Sequence, residues 1–271
     1  MRRRVSTPLG DYSSTLLAIA RLVQTAEAEL GQCGSIGIGT PGTISKVTGL
    51  LKNSNSVHLN EKPILQDLES RLLRPIKICN DANCFALSEA TDGAAAGASV
   101  VFGVIIGTGT GAGIVVNGQV LVGPNGIAGE WGHNPLPWPT QAELPGPACY
   151  CGKRGCIETF LSGPGLMKLH LEETGDLLKP EIIVSMAEDG DNACEQSLQN
   201  YENRMARSLA HVINILDPDI IVLGGGMSNI DRLYINVPRL WGNWVFSDRV
   251  DTKIVKNKFG DSSGVRGAAW L

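Results

Sequence analysis

The chain has 271 residues, of which 43% are hydrophobic and 18% are charged, so it can bury a sizeable core as one large or two modest domains. Its 23 basic and 27 acidic residues give a net charge of -4. Such a balance provides no basic field to attract nucleic acid or an anionic membrane. The three arginines at residues 2–4 are typical of a solvated chain end. We therefore expect neither nucleic acid nor a membrane as a partner.

The sequence shows neither a membrane span nor a secretion signal. No apolar run approaches the roughly 18 residues that a spanning helix needs, and no apolar segment followed by a cleavage site opens the chain. The 7 cysteines are an odd number and lack the density of a secreted disulfide framework. The sequence therefore predicts a cytoplasmic protein, in which clustered cysteines favour metal binding and scattered ones favour burial.

Helices and strands alternate in the first predicted domain, residues 1–95. Apolar spacing and punctuation predict helix 11–30, strand 35–39, helix 68–73, strand 76–79 and a helix ending at about 92. Asp81 stands where an N-cap residue is expected for the last of these helices.

The second predicted domain, residues 96–271, opens with an antiparallel meander and continues mainly as helices. The predicted elements are strands 100–106, 112–116 and 119–122, helices 162–172, 179–189 and 192–216, strand 219–223, a helix from 231, a strand near 252–256 and a helix beginning in 264–271. Asn117-Gly118 predicts a type I′ hairpin turn. Residues 124–160, rich in Pro, Gly and Cys, predict a structured insertion that carries a site.

Three cysteines and one histidine form the most specific chemical motif. Cys149, Cys151 and Cys156 supply soft thiolates, and His133 is the only histidine within easy reach upstream. A Cys3His set suits tetrahedral zinc, and four protein ligands would make that zinc structural. The alternatives are unligated thiols or a Cys149/Cys151 redox pair, although thioredoxin-type sites use Cys-x-x-Cys.

Two glycine-rich corners follow predicted buried strands. The first runs from Gly107 to Gly113 and the second from Gly224 to Gly226. Glycines allow backbone N–H groups to approach phosphate oxygens, and the Thr108 hydroxyl adds a donor. A glycine turn without any ligand is the alternative at the first corner. Together the two corners favour one nucleotide, held at its phosphate and nucleoside ends.

Polar residues near these corners are candidates for catalysis. Asp81 can accept the proton of an attacking hydroxyl, as phosphoryl transfer requires, although taken alone its position favours an N-cap role. Glu130, His133 and Glu158 can hydrogen-bond sugar hydroxyls. Their alternatives are a surface carboxylate, a pure zinc ligand and a charge at a helix start.

In chain order, six strings resemble the ROK family of sugar kinases. They are Gly39-x-Pro-Gly42, Asn80-Asp81-Ala-Asn83, Ile106-Gly-Thr-Gly109, Glu130-x-Gly-His133, Cys149-x-Cys-Gly-x-x-Gly-Cys-x-Glu158 and Ile221-Val-Leu-Gly-Gly-Gly226. The resemblance spans nearly the whole chain. It implies an α/β, actin-like ATPase (ribonuclease H-like) two-domain fold with a zinc-binding loop over residues 130–158. GEWGHNPLPW, residues 129–138, looks most like bacterial fructokinases with mannokinase activity.

The resemblance implies ATP- and Mg²⁺-dependent phosphorylation of a hexose, foremost fructose and also mannose, to the 6-phosphate by a homodimer. Asp81 would be the general base. The implied ligand sets are Asn80, Asp81, Glu130, His133 and Glu158 for the sugar; Thr108, Gly109, Gly111 and Gly113 for the phosphates; Gly224, Gly225 and Gly226 for the adenosine; and His133, Cys149, Cys151 and Cys156 for zinc. The alternatives are an N-acetylglucosamine or glucose kinase of the same family and a non-catalytic sugar-binding regulator.

One string of the family does not occur. Members begin with a β-hairpin that carries an Asp-x-Gly-Gly-Thr phosphate loop, and the helix expected after it starts here at about Asp11. Thr40-Pro-Gly-Thr43 is no substitute, because it belongs to the sugar-side Gly-x-Pro-Gly. Since phosphoryl transfer depends on electrostatic positioning of the phosphates, the expectation is a truncated chain that holds zinc but transfers phosphate poorly or not at all.

Overall fold

The computed structural model describes residues 2–271 of the chain. This part contains nine α-helices and nine β-strands. The helices are α1 (Tyr12–Leu30), α2 (Ile64–Leu72), α3 (Asp81–Thr91), α4 (Ile157–Leu161), α5 (Gly163–Thr174), α6 (Pro180–Glu188), α7 (Asn192–Leu216), α8 (Leu233–Trp241) and α9 (Ser263–Ala269). The strands are β1 (Ile36–Thr40), β2 (Thr43–Ile44), β3 (Leu51–Lys52), β4 (Ile76–Asn80), β5 (Val100–Ile106), β6 (Thr110–Val116), β7 (Gln119–Val120), β8 (Ile220–Gly224) and β9 (Lys253–Lys256). Every predicted helix and strand is present, although several ends differ by a few residues.

The first four strands form two small pairs. β1 runs parallel to β4, with Thr40 opposite Asn80 at their ends, and β2 and β3 form a short antiparallel hairpin. Helices α1 and α2 cover these strands through a buried cluster that consists of Leu16, Leu51, Leu59, Ile64, Leu68 and Ile76. Because β1 and β4 are parallel, the loop that holds Gly42 and the start of α3 lie at the same edge.

The remaining strands form one five-stranded sheet in the order β7-β6-β5-β8-β9. β5 and β6 are an antiparallel hairpin, whereas β8 and β9 run parallel to β5. β6 begins at Thr110 rather than at the predicted Ala112, because Thr110 pairs with Ile106. The turn between β5 and β6 is therefore shorter than predicted and consists of residues 107–109. Asn117 and Gly118 have φ values of 49° and 75°, as the predicted type I′ turn requires.

Helices cover both faces of this sheet. On one face, β5, β6 and β8 share a buried cluster with α7, in which Tyr201 and Leu209 are fully buried. On the other face, α3 packs through Phe85 and Ala86 against the same three strands. Both faces of the central strands are therefore covered, as the near-continuous apolar runs of β5 and β8 predict.

Three glycines on adjacent strands allow α3 to lie close to the sheet. They are Gly113 on β6, Gly103 on β5 and Gly224 on β8, and Gly103 is paired with Gly113 in the ladder. A Cβ at Gly103 would lie 2.7 Å from Ala86 Cβ, and one at Gly224 or Gly113 would lie 2.5 Å from the Phe85 ring or from the Ala82 carbonyl oxygen. We call these three residues the glycine groove.

A buried ion cluster fixes the insertion to α7. The carboxylate of Glu143 accepts hydrogen bonds from Arg204 Nε at 2.9 Å and from Arg207 Nη2 at 2.7 Å. Arg207 Nη1 also donates to the carbonyl oxygen of Trp138 at 2.6 Å. The side chains of Glu143, Arg204 and Arg207 are only 8%, 9% and 3% exposed, so water screens these interactions little.

The C-terminal helix α9 packs against α3 and β1, two elements that are distant from it in the sequence. Gly267 makes the closest approach, since a Cβ there would collide with the carbonyl group of Cys84. α9 thus contacts the region predicted as the first domain, and the division at residue 95 stays a prediction.

We expect Gly267→Ala to lower the free energy of unfolding by about 1–3 kcal/mol or more, as overpacking of a rigid contact does. Gly264→Ala in the same helix is the matched control, because nothing lies within 4 Å of a Cβ at that position. The control should be neutral or stabilising by up to about 1 kcal/mol. Urea unfolding measures both values, and equal stability of the two variants would contradict the close packing of α9.

No helix within residues 2–271 has the length and the apolar character that crossing a membrane requires.

Candidate active site

Asp81 lies at the point where β4 turns into α3. Asn80, not the predicted Asp81, is the N-cap residue: its Oδ1 accepts from the backbone N–H groups of Ala82 at 2.9 Å and Asn83 at 3.2 Å. The prediction was wrong by one position because Asn80 still has extended backbone angles, as a cap residue does. Although Asp81 Oδ1 also accepts from Ala82 N, the cap itself is provided by Asn80, which leaves the Asp81 carboxylate available to a ligand.

A polar cleft of about 200 Å³ opens beside Asp81. The cleft brings together all five predicted sugar-binding residues, Asn80, Asp81, Glu130, His133 and Glu158. Thr108, Gly109 and Gly111 line it as well.

The loop that carries Glu130 and His133 lies directly on β6. Trp131 between them is buried and packs edge-on against Phe102, with ring centroids 5.5 Å apart. A Cβ at Gly129 or Gly132 would collide with carbonyl oxygens of β6. In the string Gly-Glu-Trp-Gly-His, the tryptophan is buried and the two glycines allow the loop to contact the backbone of β6. The glutamate and the histidine line the cleft.

Glu158 connects the insertion to the first glycine corner. It is in the first turn of α4, and its Oε2 accepts a hydrogen bond from Thr110 N at 2.9 Å. A Cβ at Gly109 would lie 2.8 Å from the same oxygen, so a glycine is needed for this approach. The carboxylate is thereby held at the floor of the cleft.

Two carboxyl groups of the cleft, those of Asp81 and Glu130, have raised pKa values. Solvent reaches Asp81 through the mouth of the cleft, but the surrounding protein displaces part of its water and raises the pKa of Asp81, against the opposing effect of the Ala82 N–H. Loss of water also raises the pKa of Glu130, and the nearby charges of Asp81 and Glu158 act in the same direction, while His133 opposes them. Raised carboxyl pKa values are typical of groups that accept protons in catalysis.

A second and more apolar cavity of about 600 Å³ adjoins the cleft. Its walls come from α5, α6 and the turn after β8, and include Met167, Val184, Met227 and Ile230. Gly107 and Thr108 line both this cavity and the polar cleft. The two spaces therefore meet at the first glycine corner.

Some of the predicted nucleotide-binding glycines line the cleft or the cavity, and the others are packed against neighbouring elements. Gly226 lines the apolar cavity, and Gly109 and Gly111 line the cleft. Gly113 and Gly224 belong to the glycine groove, where they face α3 rather than either space. Gly225, with a φ of 81°, lies against the backbone of Ile106. The structure thus gives these last three glycines packing roles.

The predicted metal ligands form one cluster. The ligand atoms of His133, Cys149, Cys151 and Cys156 all lie within 4.8 Å of one another. His133 Nδ1 is 3.6 Å from Cys149 Sγ, and Cys151 Sγ is 3.6 Å from Cys156 Sγ. Zinc bonds of about 2.3 Å to sulfur and about 2.0 Å to nitrogen place tetrahedral ligands roughly 3.5–3.8 Å apart. The donor set and its spacing therefore fit a tetrahedral zinc ion.

Sequence reasoning missed three polar residues of the cleft. Asn53 and Asn55 line it from the loop after β3, and Tyr150 lines it from between two of the cysteines. The Tyr150 hydroxyl lies 2.9 Å from His133 Nε2. Asn53 has a positive φ of 59°, a turn feature that carries no signal for a ligand in the sequence. Tyr150 is the unassigned residue between Cys149 and Cys151 in the cysteine motif, and a lone tyrosine there gives no signal for a ligand.

Comparisons with known proteins agree with this architecture. A family model described as the ROK family matches residues 1–271. An N-acetyl-D-glucosamine kinase of Pasteurella multocida (strain Pm70) is 41% identical over 274 residues, which cover 99% of this chain and 90% of that protein.

Solved structures agree as well. A ROK hexokinase from Thermus thermophilus has a TM-score of 0.86 at 30% identity, covering 98% of this chain and 87% of that one. A ROK family glucokinase from Streptomyces griseus in complex with glucose and AMPPNP has a TM-score of 0.78 at 25% identity, covering 98% and 89%. The actin-like ATPase fold expected from the sequence is confirmed.

Proposed function

The chain belongs to the ROK family, and we propose that it uses ATP to phosphorylate the 6-hydroxyl of a hexose bound in the polar cleft beside Asp81. The observation that carries this proposal is the meeting of the cleft and the apolar cavity at Gly107 and Thr108. A sugar in the first space and an adenosine in the second would have the triphosphate between them. Phosphoryl transfer needs this in-line placement more than it needs covalent chemistry.

Several polar side chains of the cleft have distinct roles in this reaction. Asp81 accepts the proton of the attacking hydroxyl, and its raised pKa makes the carboxylate a better base. The carboxylates of Glu130 and Glu158 accept hydrogen bonds from the other hydroxyls of the sugar, and the amide of Asn80 can both accept and donate. Thr108 and the backbone of the first corner contact the phosphates. Mg²⁺, when bound to ATP, neutralises phosphate charge.

Two hexoses are candidates for the substrate. N-acetyl-D-glucosamine is favoured by the relatives, since the protein from Pasteurella multocida and a 39% identical protein from Vibrio cholerae both carry the name N-acetyl-D-glucosamine kinase. These relatives do not support the more specific expectation of a fructokinase. Fructose remains the second candidate because residues 129–138, which include Glu130 and His133, resemble fructokinases.

Calorimetric titration of the purified chain with N-acetylglucosamine, fructose, mannose and glucose tests the proposal. Of the four sugars, the substrate should have the lowest dissociation constant. The label of γ-labelled ATP should then appear on that same sugar, even if transfer is slow. Binding of fructose in preference to N-acetylglucosamine would select the second candidate. A chain that binds none of the four sugars would contradict the proposed function.

We also propose that His133, Cys149, Cys151 and Cys156 hold a structural zinc ion. His133 belongs to this cluster through Nδ1 and to the cleft through its ring. An ion at Nδ1 would fix the tautomer and the orientation of the ring. The metal would thereby hold one wall of the sugar site in place.

Removal of zinc is expected to weaken sugar binding. Cys151→Ala should lower zinc content, measured by mass spectrometry of the metal, and raise the dissociation constant of the preferred hexose. Loss of an outer support typically costs a metal site about 10- to 100-fold in metal affinity or activity, and we expect the dissociation constant of the hexose to rise by up to that factor. Cys33→Ala is the control, because Cys33 is exposed and lies outside the cluster. Unchanged sugar affinity in zinc-free Cys151→Ala would restrict the ion to a scaffold role.

The homodimer suggested by the family resemblance stays a prediction, which light scattering of the purified chain tests directly.

A further inference from the structure

Tyr150 occupies an unusual place between the metal cluster and the sugar cleft. Its backbone is flanked by Cys149 and Cys151, while its side chain lines the cleft. The hydroxyl lies 2.9 Å from His133 Nε2, and the two rings meet edge to face with centroids 5.1 Å apart. The side chain thus extends from a fixed backbone onto the imidazole that both sites share.

The protons of this contact can be assigned from the cluster. His133 directs Nδ1 towards Cys149 Sγ, so an ion in the cluster would occupy the lone pair of Nδ1. The neutral imidazole then carries its proton on Nε2. Nε2–H donates to the oxygen of Tyr150, and the tyrosine O–H remains free to donate to another acceptor.

No other partner uses that O–H group within residues 2–271. The Tyr150 residue is 79% exposed, and His133 Nε2 is its only side-chain hydrogen-bond partner in the described chain. Most of the ring therefore makes no contribution to the core. An aromatic side chain held at the wall of a polar cleft with an unused donor is better suited to a ligand than to packing.

We propose that Tyr150 is a specificity-determining residue of the hexose site, whose hydroxyl accepts from His133 and donates to an oxygen atom of the bound sugar. This inference rests on the proposed function. Hexoses differ in which oxygen they present at a given position, whether a ring hydroxyl, an anomeric oxygen or the carbonyl of an acetamido group. A fixed donor favours the sugar whose acceptor meets it and disfavours those without one.

A purely structural role for Tyr150 has different consequences. If the ring only shielded the metal cluster from water, removal of the hydroxyl would change the dissociation constants of all sugars by the same factor or not at all. If the hydroxyl only oriented His133, every hexose would lose the same factor. Selectivity between sugars therefore separates recognition from support.

Tyr150→Phe is the test, with calorimetric titration of the four hexoses and measurement of zinc content. The dissociation constant of the preferred hexose should rise by about 2- to 12-fold, the equivalent of one hydrogen bond. The ratios between hexoses should change, and zinc content should stay the same. Tyr12→Phe is the matched control, because the Tyr12 hydroxyl donates to Asp67 at 2.7 Å outside the cleft.

Four outcomes contradict the inference. Identical dissociation constants in Tyr150→Phe and the parent protein would show that the hydroxyl does not contact the sugar. A uniform loss for all hexoses, or a loss of zinc, would reduce Tyr150 to a support. These three leave the proposed function intact, whereas a parent protein that binds no hexose contradicts both.

Discussion

Asp81→Asn is expected to slow phosphoryl transfer by roughly 10²- to 10⁴-fold, the usual contribution of a general base. Asparagine keeps the size of the side chain but cannot accept the proton of the sugar hydroxyl. Its amide can still hydrogen-bond the sugar, so the dissociation constant of the hexose should change far less than the rate. Single-turnover transfer from γ-labelled ATP measures the rate, and calorimetry measures the binding.

The pH dependence of the parent protein provides a second test of the same residue. Partial loss of water raises the pKa of Asp81 above its ordinary value, and the carboxylate is the active form. The rate of transfer should therefore fall as the pH decreases through that raised pKa. The part of this fall that Asp81 causes should be absent from Asp81→Asn, whereas any part caused by protonation of Glu130 should remain.

Asp92→Asn is the matched control for both measurements. Asp92 caps the other end of α3 and pairs with Arg266, away from the cleft. An equal loss of transfer in both variants would indicate damage to α3 rather than to the base, and full transfer by Asp81→Asn would remove Asp81 from the mechanism.

Glu143→Gln is expected to lower the free energy of unfolding by about 3–5 kcal/mol, because it leaves the buried Arg207 without a counter-charge and leaves Arg204 with only the half-exposed Glu173 at 3.8 Å. The side chains of Arg204 and Arg207 are only 9% and 3% exposed. For a chain of this length the loss corresponds to a fall in melting temperature of roughly 6–20 °C. Urea unfolding and calorimetric melting measure it.

The same cluster predicts a dependence on pH. Burial alone would raise the pKa of Glu143, but hydrogen bonds from Arg207, Thr140 N and Arg204 outweigh it and lower the pKa to about 2, compared with an ordinary 4.5. The stabilisation is therefore complete above the ordinary value and is lost as the pH falls from 4.5 towards 2. The difference between Glu143→Gln and the parent should narrow over that interval.

Glu195→Gln is the control for this prediction. Glu195 also pairs with an arginine, Arg232, but the two side chains are 35% and 25% exposed, and Arg232 keeps a second partner in Glu202. A partly solvated pair typically contributes about 1 kcal/mol or less. If Glu195→Gln cost as much as Glu143→Gln, burial would not be the reason for the effect.

The elements that depend on local pattern could be predicted from the sequence. The apolar period of α1, the buried runs of β5 and β8 and the Asn117-Gly118 turn each involve residues near one another in the chain. The cluster of His133, Cys149, Cys151 and Cys156 could be predicted for the same reason, since its three cysteines lie within one short loop. Local spacing fixes both the secondary structure and the donor set.

Features that depend on distant contacts could not be predicted in this way. Glu143 meets Arg204 and Arg207 only after the insertion folds onto α7, and a pattern of charges in the sequence does not select these partners. The docking of α9 on α3 is of the same kind. Tyr150 enters the cleft because of the loop conformation around it, which residue types alone do not specify.

The glycine groove lies under the helix that carries Asp81, the proposed general base. α3 carries Asp81 at its first position, and it approaches the sheet closely at Gly103, Gly113 and Gly224, where a Cβ would collide with the helix. A displacement of about 1 Å at reacting atoms can cost roughly 10²-fold in rate. We therefore expect the rate of transfer to be sensitive to added volume at three positions that lie under α3 rather than in the sugar cleft.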